Sequence, residues 1–307
     1  GYAGRMEKPP SRPSGTWLLA GCGYVGERLA RRRLREGPVL ALAHRTASAA
    51  NLLRQGIPAL ALDFDEAPPW QPPSDLSAVI YLAPPQGPAA EDLRLARFLG
   101  MLGAARPEAF VYFSTTGVYG DAGGVPVDED SPTAPREDRS RQRLDAERRV
   151  TRWCLDRGLR CVVFRVPAIY GPHRLPLDRL RRGEPLLRAE DLGPANRIHV
   201  DDLVGACVAV LERPVEGVFN LTDGVPESMA AFTARVAGLA GLPAPPRISW
   251  AEAQEVLSPG LLAFLRESRR VTSRRVGELG WTPRYSDPSD GIRASLAEMG
   301  LAIASDQ

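Results

Sequence analysis

The chain has 307 residues, 44% of them hydrophobic and 25% charged, and a formal net charge of +2. It is long enough for one large domain or two, and a charge so near balance gives no electrostatic ground for a nucleic-acid or acidic-membrane partner. No apolar run reaches membrane-spanning length. Four scattered cysteines (Cys22, Cys154, Cys161, Cys207) without a Cys-x-x-Cys, and three histidines far apart, argue against a metal site or a disulfide framework and suit a reducing cytoplasm.

Residues 1–15 are rich in Pro, Gly and Ser and have no apolar centre. They read as a disordered lead-in rather than a signal peptide, with residues 1–5, ahead of Met6, a remnant of cloning. The informative stretch follows. Trp17, Leu18, Leu19 and Ala20 form a short apolar run, and glycines come at Gly21, Gly23 and Gly26. The next segment places Val25, Leu29, Ala30 and Leu34 on one helical face and Arg31, Arg32, Arg33 and Arg35 mostly on the other. This is strand, turn and helix with Gly-x-Gly-x-x-Gly at the joint. Gly21 permits the turn, Gly23 lets a pyrophosphate approach the backbone, and Gly26 lets the helix sit close on the strand. Tyr24 and Val25 would offer their backbone N–H groups to phosphate at the helix N-terminus.

Pro38 to Ala43 reads as a second buried strand, ending in His44, Arg45 and Thr46. A NAD-preferring site places an acidic residue here for the ribose hydroxyls. None is present, and Arg45, with Thr46 and Ser48 as neutral donors, suits the 2′-phosphate of NADP over NAD. A third strand (57–62) leads to Asp63 and Phe64, where an adenine edge is met. A fourth (78–82) runs into Ala83 and Pro84 near the nicotinamide side. A helix covers about 89–105, and a fifth strand (110–113) delivers Ser114 to Gly120 at its C-terminal end, the end at which open α/β sheets bind ligands. Repeated strand–helix units predict an α/β fold, a Rossmann doubly wound parallel sheet over 16–166.

The motifs GCGYVG, STTGVYG, FRVPAIYGP (164–172), RIHVDDL (197–203) and GVFNLTDGVP (217–226), in that order, resemble the extended short-chain dehydrogenase/reductases of the NAD(P)-dependent epimerase/dehydratase type. The resemblance runs from about Trp17 to Leu296. It implies a nicotinamide cofactor, a small-molecule substrate and a homodimer built on the helices around 89–105 and 136–153. It also implies a Ser or Thr at the end of the fifth strand, here Thr115, and a Tyr-x-x-x-Lys on the next helix. Aligned on Glu147, the lysine position holds Arg143 and the tyrosine position Arg139. Arginine stays protonated at every accessible pH, so the usual proton relay is absent. The chain is thus similar to atypical members that have lost the dyad. Arg143 is left to hold a ribose or phosphate, and Arg139 to meet a substrate carboxylate or simply solvent. Substitute proton donors are Tyr119, His173 and a water on Thr115.

Beyond Pro167, which closes the cofactor side, a smaller and mostly helical substrate-binding part spans 167–307, with 197–221 returning to the Rossmann core. Tyr170 and Arg174 follow the sixth strand (160–166) into the substrate cleft. The short, basic segment 177–188 is lid-like, and Arg197 stands where the family can meet an anionic group. Helices are expected at 204–212, 228–240, 252–266 and 273–279. Three functions fit: an NADP-dependent oxidoreductase acting on a carbonyl, imine or sugar-like molecule, a non-catalytic NADP-binding redox sensor, or a nucleotide-sugar epimerase or dehydratase.

Overall fold

The computed structural model describes residues 14–305, so the reading of residues 1–13 lies outside the described residues. Strands β1 (Thr16–Ala20), β2 (Val39–Ala43), β3 (Ala59–Ala61), β4 (Leu76–Tyr81) and β5 (Ala109–Thr115) join two later strands, Arg160–Val166 and Gly217–Asn220, in one sheet. The order is Gly217–Asn220, Arg160–Val166, β5, β4, β1, β2, β3, and every pairing is parallel. Chain order reverses beside β1, so a crevice opens above its C-terminal end.

Side chains alternate across the sheet with period two. Trp17 and Leu19 of β1 face helices α1 (Tyr24–Leu34), α2 (Thr46–Arg54) and Val200–Leu211. Leu18 and Ala20 face α3 (Leu93–Leu102) and α4 (Asp138–Arg157). Burying a leucine of this kind contributes about 1.5–3 kcal/mol. The second face is aromatic: Phe64, Tyr81, Phe98 and Tyr112 form a chain of rings 4.8–6.2 Å apart. Asp92 caps α3 by accepting from the Leu95 N–H at 3.0 Å, and Gly158 ends α4 in the left-handed region.

A separate core joins the lobe: Tyr170, Leu177, Leu180, Phe232, Val236, Ile292 and Leu296. Here the structure departs from sequence expectation in five places. The segment 177–188 is docked rather than free. Leu177 and Leu180 are buried in a short helix, and Leu186–Leu187 pairs in parallel with Arg247–Ile248. The helix expected over 252–266 is broken into Trp250–Val256 and Pro259–Arg266, because Pro259 cannot continue the first. The helix expected over 273–279 is a single tight turn, Val276–Leu279. Helix Pro288–Glu298 was not anticipated, although Asp287 caps it and Pro288 occupies its first position. Finally, Arg33 is not on the solvent face of α1. Only 3% exposed, it lies over the Trp17 ring at 4.4 Å and donates to the Gly15 carbonyl at 2.8 Å.

Candidate active site

The glycine turn follows β1 directly. Gly21 has φ +87°, and a Cβ placed on it would lie 2.7 Å from the Ala83 nitrogen, so neither the backbone angle nor the space admits a side chain. A Cβ on Gly26 would press on Cys22 Sγ at 3.0 Å, which keeps α1 close to the sheet. Gly23 differs: among the described residues nothing lies within 4 Å of its missing Cβ. Its open face adjoins the N-terminus of α1, where no side chain caps the first turn. Backbone donors with a positive dipole end and no internal partner suit a pyrophosphate.

A cavity of about 280 Å³ runs from this turn over β2 and β4. His44, Ser48, Phe64, Ala83, Pro84 and Arg94 line it. Arg45 and Thr46 stand exposed at the start of helix Thr46–Arg54, just outside the wall. His44 Nδ1 lies 3.5 Å from Asp63, whose carboxylate accepts from the Asp65 N–H. Arg94 forks onto Asp65 at 2.7–3.0 Å, which holds that carboxylate below its usual range. The open Gly23 face, the uncapped helix end and the apolar slot at Phe64 together fit a dinucleotide.

A second cavity, about 480 Å³, lies beyond β5 and strand Arg160–Val166. Thr115, Thr116 and Pro167 form one side, with Tyr170, Arg174 and Arg197 on the lobe. Thr115 Oγ1 accepts from the Gly117 N–H at 3.1 Å, so its proton is free to be donated. Arg174 lies over the Tyr24 ring at 4.6 Å, and the Tyr24 hydroxyl donates to the Pro172 carbonyl at 2.7 Å. Burial pushes that phenol up to about 12, so it holds this bond as a donor. Tyr24 therefore joins the glycine turn to the cavity.

Several sequence candidates fall elsewhere. Tyr119 is 3% exposed, and its hydroxyl donates to Asn220 Oδ1 at 2.7 Å while accepting from Arg165 at 2.9 Å. Burial also raises this phenol, and it does not line the cavity. It is a packing residue, not a proton donor. His173 is exposed at φ +62°, held by a backbone contact to Met299, and also stands outside the cavity wall. Arg139 points into solvent on α4, away from the wall. Arg143 donates to the Phe113 carbonyl at 3.0 Å, which ties α4 to the end of β5. The Tyr170 hydroxyl is buried against Gly291. Its ring, not its proton, contributes to the wall.

Sequence reasoning missed the charged group beneath the site. Arg165, 6% exposed, forks onto Glu147 at 2.7–3.3 Å, and Ser114 Oγ donates to the same carboxylate. The Arg165–Tyr119–Asn220 chain continues to the Thr272 carbonyl at 3.0 Å. The signal available was alternation: Arg165 sits mid-strand among apolar residues, and Glu147 recurs on the apolar face of α4. Glu267 and Arg269, paired at 2.8 Å in the cavity wall, come from a segment that carries no motif.

The epimerase/dehydratase family model matches residues 17–222, two thirds of the chain. The chain belongs to the NAD dependent epimerase/dehydratase family. A nicotinamide dinucleotide site is a property of that family. Among curated relatives of this family member, a 3-diazoavenalumate denitrifying reductase from Streptomyces is 31% identical over 143 residues, 43% of this chain and 45% of the relative. A UDP-glucose 4-epimerase from Corynebacterium glutamicum is 28% identical over 202 residues, 58% and 59% of the two. The chain thus spans about half the length of these relatives. A structure from Silicibacter pomeroyi, described as functionally unknown, superposes with a TM-score of 0.77 at 28% identity, covering 93% of this chain and 99% of that one. UDP-glucuronic acid 4-epimerase from Bacillus cereus, solved with NAD, gives 0.73 at 17% identity over 93% and 98%. It shares the fold. Among the described residues no helix of this family member is long and apolar enough to cross a membrane.

Proposed function

We propose that the chain is an NADP-dependent oxidoreductase that reduces a carbonyl or imine of a small molecule without a tyrosine–lysine relay. The observation that carries this reading is Thr115: its free hydroxyl proton sits in the wall of a 480 Å³ cavity that Tyr24 links to the glycine turn. Gly21, Gly23, Tyr24, Val25 and Gly26 would hold the pyrophosphate, Phe64 the adenosine side, and Ala83, Pro84 and Pro167 the nicotinamide side. Asp63, engaged by the Asp65 N–H and beside His44, would orient the ribose. Arg45 and Thr46, exposed beside that cavity, would meet a 2′-phosphate. NADPH, when bound there, would supply a hydride. Thr115 orients the acceptor atom by donating a hydrogen bond, and water on the Thr115 side supplies the proton, since neither Tyr119 nor His173 reaches the cavity.

The epimerase or dehydratase reading needs a base as well. The one carboxylate in the cavity wall among the described residues, Glu267, is engaged by Arg269, which weakens it in that role. The test is titration of NADPH and NADH, followed by NADPH oxidation against ketones, imines and nucleotide sugars. Arg45→Asp is expected to weaken NADPH far more than NADH, by about 1.5–3 kcal/mol for a lost charge-assisted contact. Equal losses would refute the NADP assignment. Tight NADPH binding with no turnover across the panel would favour a redox-sensing protein.

A further inference from the structure

The larger cavity carries information about what it holds, because most of its polar groups are already satisfied. Asn196 donates its amide to the Arg269 carbonyl and accepts from the Val271 N–H. Thr233 donates to the Met229 carbonyl, and Arg179 is paired with Glu184. Arg269 divides itself between Glu267 and the Gly120 carbonyl. A ligand covered in hydroxyls would find few partners away from the Thr115–Thr116 side.

Two cations remain. Arg197 is 4% exposed, lies over the Phe232 ring at 4.5 Å and donates through Nη2 to the Glu227 carbonyl at 2.7 Å. Its Nη1 is buried and has no hydrogen-bond partner among the described residues, while the carboxylates of Asp223 and Glu227 are close enough to offset part of its charge. Arg174, on the same wall, makes no ion pair among the described residues, and its guanidinium lies over the Tyr24 ring. The rest of the surface is apolar, with Ile169, Leu192, Pro194, Met229, Phe232 and Leu265 around it.

We infer that this cavity takes a compact carboxylic acid with an apolar, ring-sized body, its carboxylate held by Arg197 and Arg174 and its reducible group placed at Thr115. The inference rests on the oxidoreductase reading and narrows its substrate class. A planar carboxylate matches the guanidinium fork, and the apolar wall takes the ring.

The test uses the NADPH-saturated protein and calorimetric titration with benzoate, trans-cinnamate, cinnamamide, phenyl phosphate and UDP-glucose. An acid is expected to bind at least about tenfold tighter than cinnamamide, phenyl phosphate and UDP-glucose. Arg174→Ala, an exposed position that leaves the fold intact, is expected to lose about tenfold for the acid and little for the amide, with partial recovery in Arg174→Lys. Arg197→Met is expected to lose more. Acid and amide binding equally, either acid binding unaltered in Arg174→Ala, or tighter binding of phenyl phosphate or UDP-glucose would overturn the inference. NADPH affinity measured first separates the two levels. Absence of nucleotide binding sinks the oxidoreductase reading, whereas normal nucleotide binding without preference for an acid sinks only the substrate class.

Discussion

The glycine turn and the wall of the larger cavity both present donors to a ligand, and they do so by opposite means. At the turn the donors are backbone N–H groups, held by one continuous stretch of eleven or so residues and by the absence of side chains. At the wall the donors are guanidinium groups, brought together from Arg174 and Arg197 on separate segments and kept in place by packing in the lobe. A turn of the first kind is fixed by local geometry. A wall of the second kind depends on long-range contacts, so its failure modes are those of the tertiary structure.

Substitutions can break this comparison at graded cost. The largest effect is expected beneath both regions: Glu147→Ala leaves Arg165 buried without its partner and should cost about 3–5 kcal/mol of unfolding free energy, read by denaturant titration. A change under 1 kcal/mol would mean that the ion pair does not organise the floor of the site. Next comes His199, which links the lobe to the sheet. Its Nδ1 accepts from the Asp201 N–H at 3.0 Å, and its Nε2 meets Ser295 at 3.1 Å. Burial pushes this imidazole down to about 4, from 6.5. The neutral form is therefore the folded form, and its stabilisation is present above pH 6.5 and lost as pH falls toward 4, by at most about 3 kcal/mol. Asp223, pushed up to about 6 by burial, runs the other way, stabilising the fold as it takes up its proton. The His199 contribution is accordingly the difference between the wild type and His199→Asn, which keeps a side-chain acceptor at the cap. Parallel melting-temperature curves for the two over pH 4–7 would refute it.

Gly21→Ala should destabilise by about 1–3 kcal/mol, since both φ and the Ala83 backbone oppose a Cβ. Gly23→Ala makes the sharper contrast. With open space at that Cβ, stability should stay within about 0.5 kcal/mol while nucleotide affinity falls about tenfold or more. Unchanged nucleotide affinity in Gly23→Ala would separate the turn from the cofactor.

The same contrast explains what could be read in advance. Glycines at 21, 23 and 26 are dictated by backbone angles and close approach, requirements that each residue states by itself. The parallel sheet followed from strand–helix rhythm for the same reason. Glu267, Arg269 and the Arg165–Glu147 pair acquire their meaning from neighbours distant in the chain: Glu147 and Arg165 are 18 residues apart, and Arg269 reaches Gly120 across 149. Tyr119 misled because a tyrosine near Thr115 in sequence need not share its face. In the tight turn after β5 its ring goes inward to Arg165 and Asn220. His173 misled similarly, for the chain bends there through a positive φ and carries the ring outside the cavity.

The bond from Tyr24 to the Pro172 carbonyl has one more implication. Tyr24 belongs to the turn, Pro172 to the loop that enters the lobe, and Arg174 rests on the same ring. Displacing that phenol would loosen Arg174 as well, so on the proposed function the affinities for nucleotide and acid should be coupled through this one ring, each altered by Tyr24→Phe.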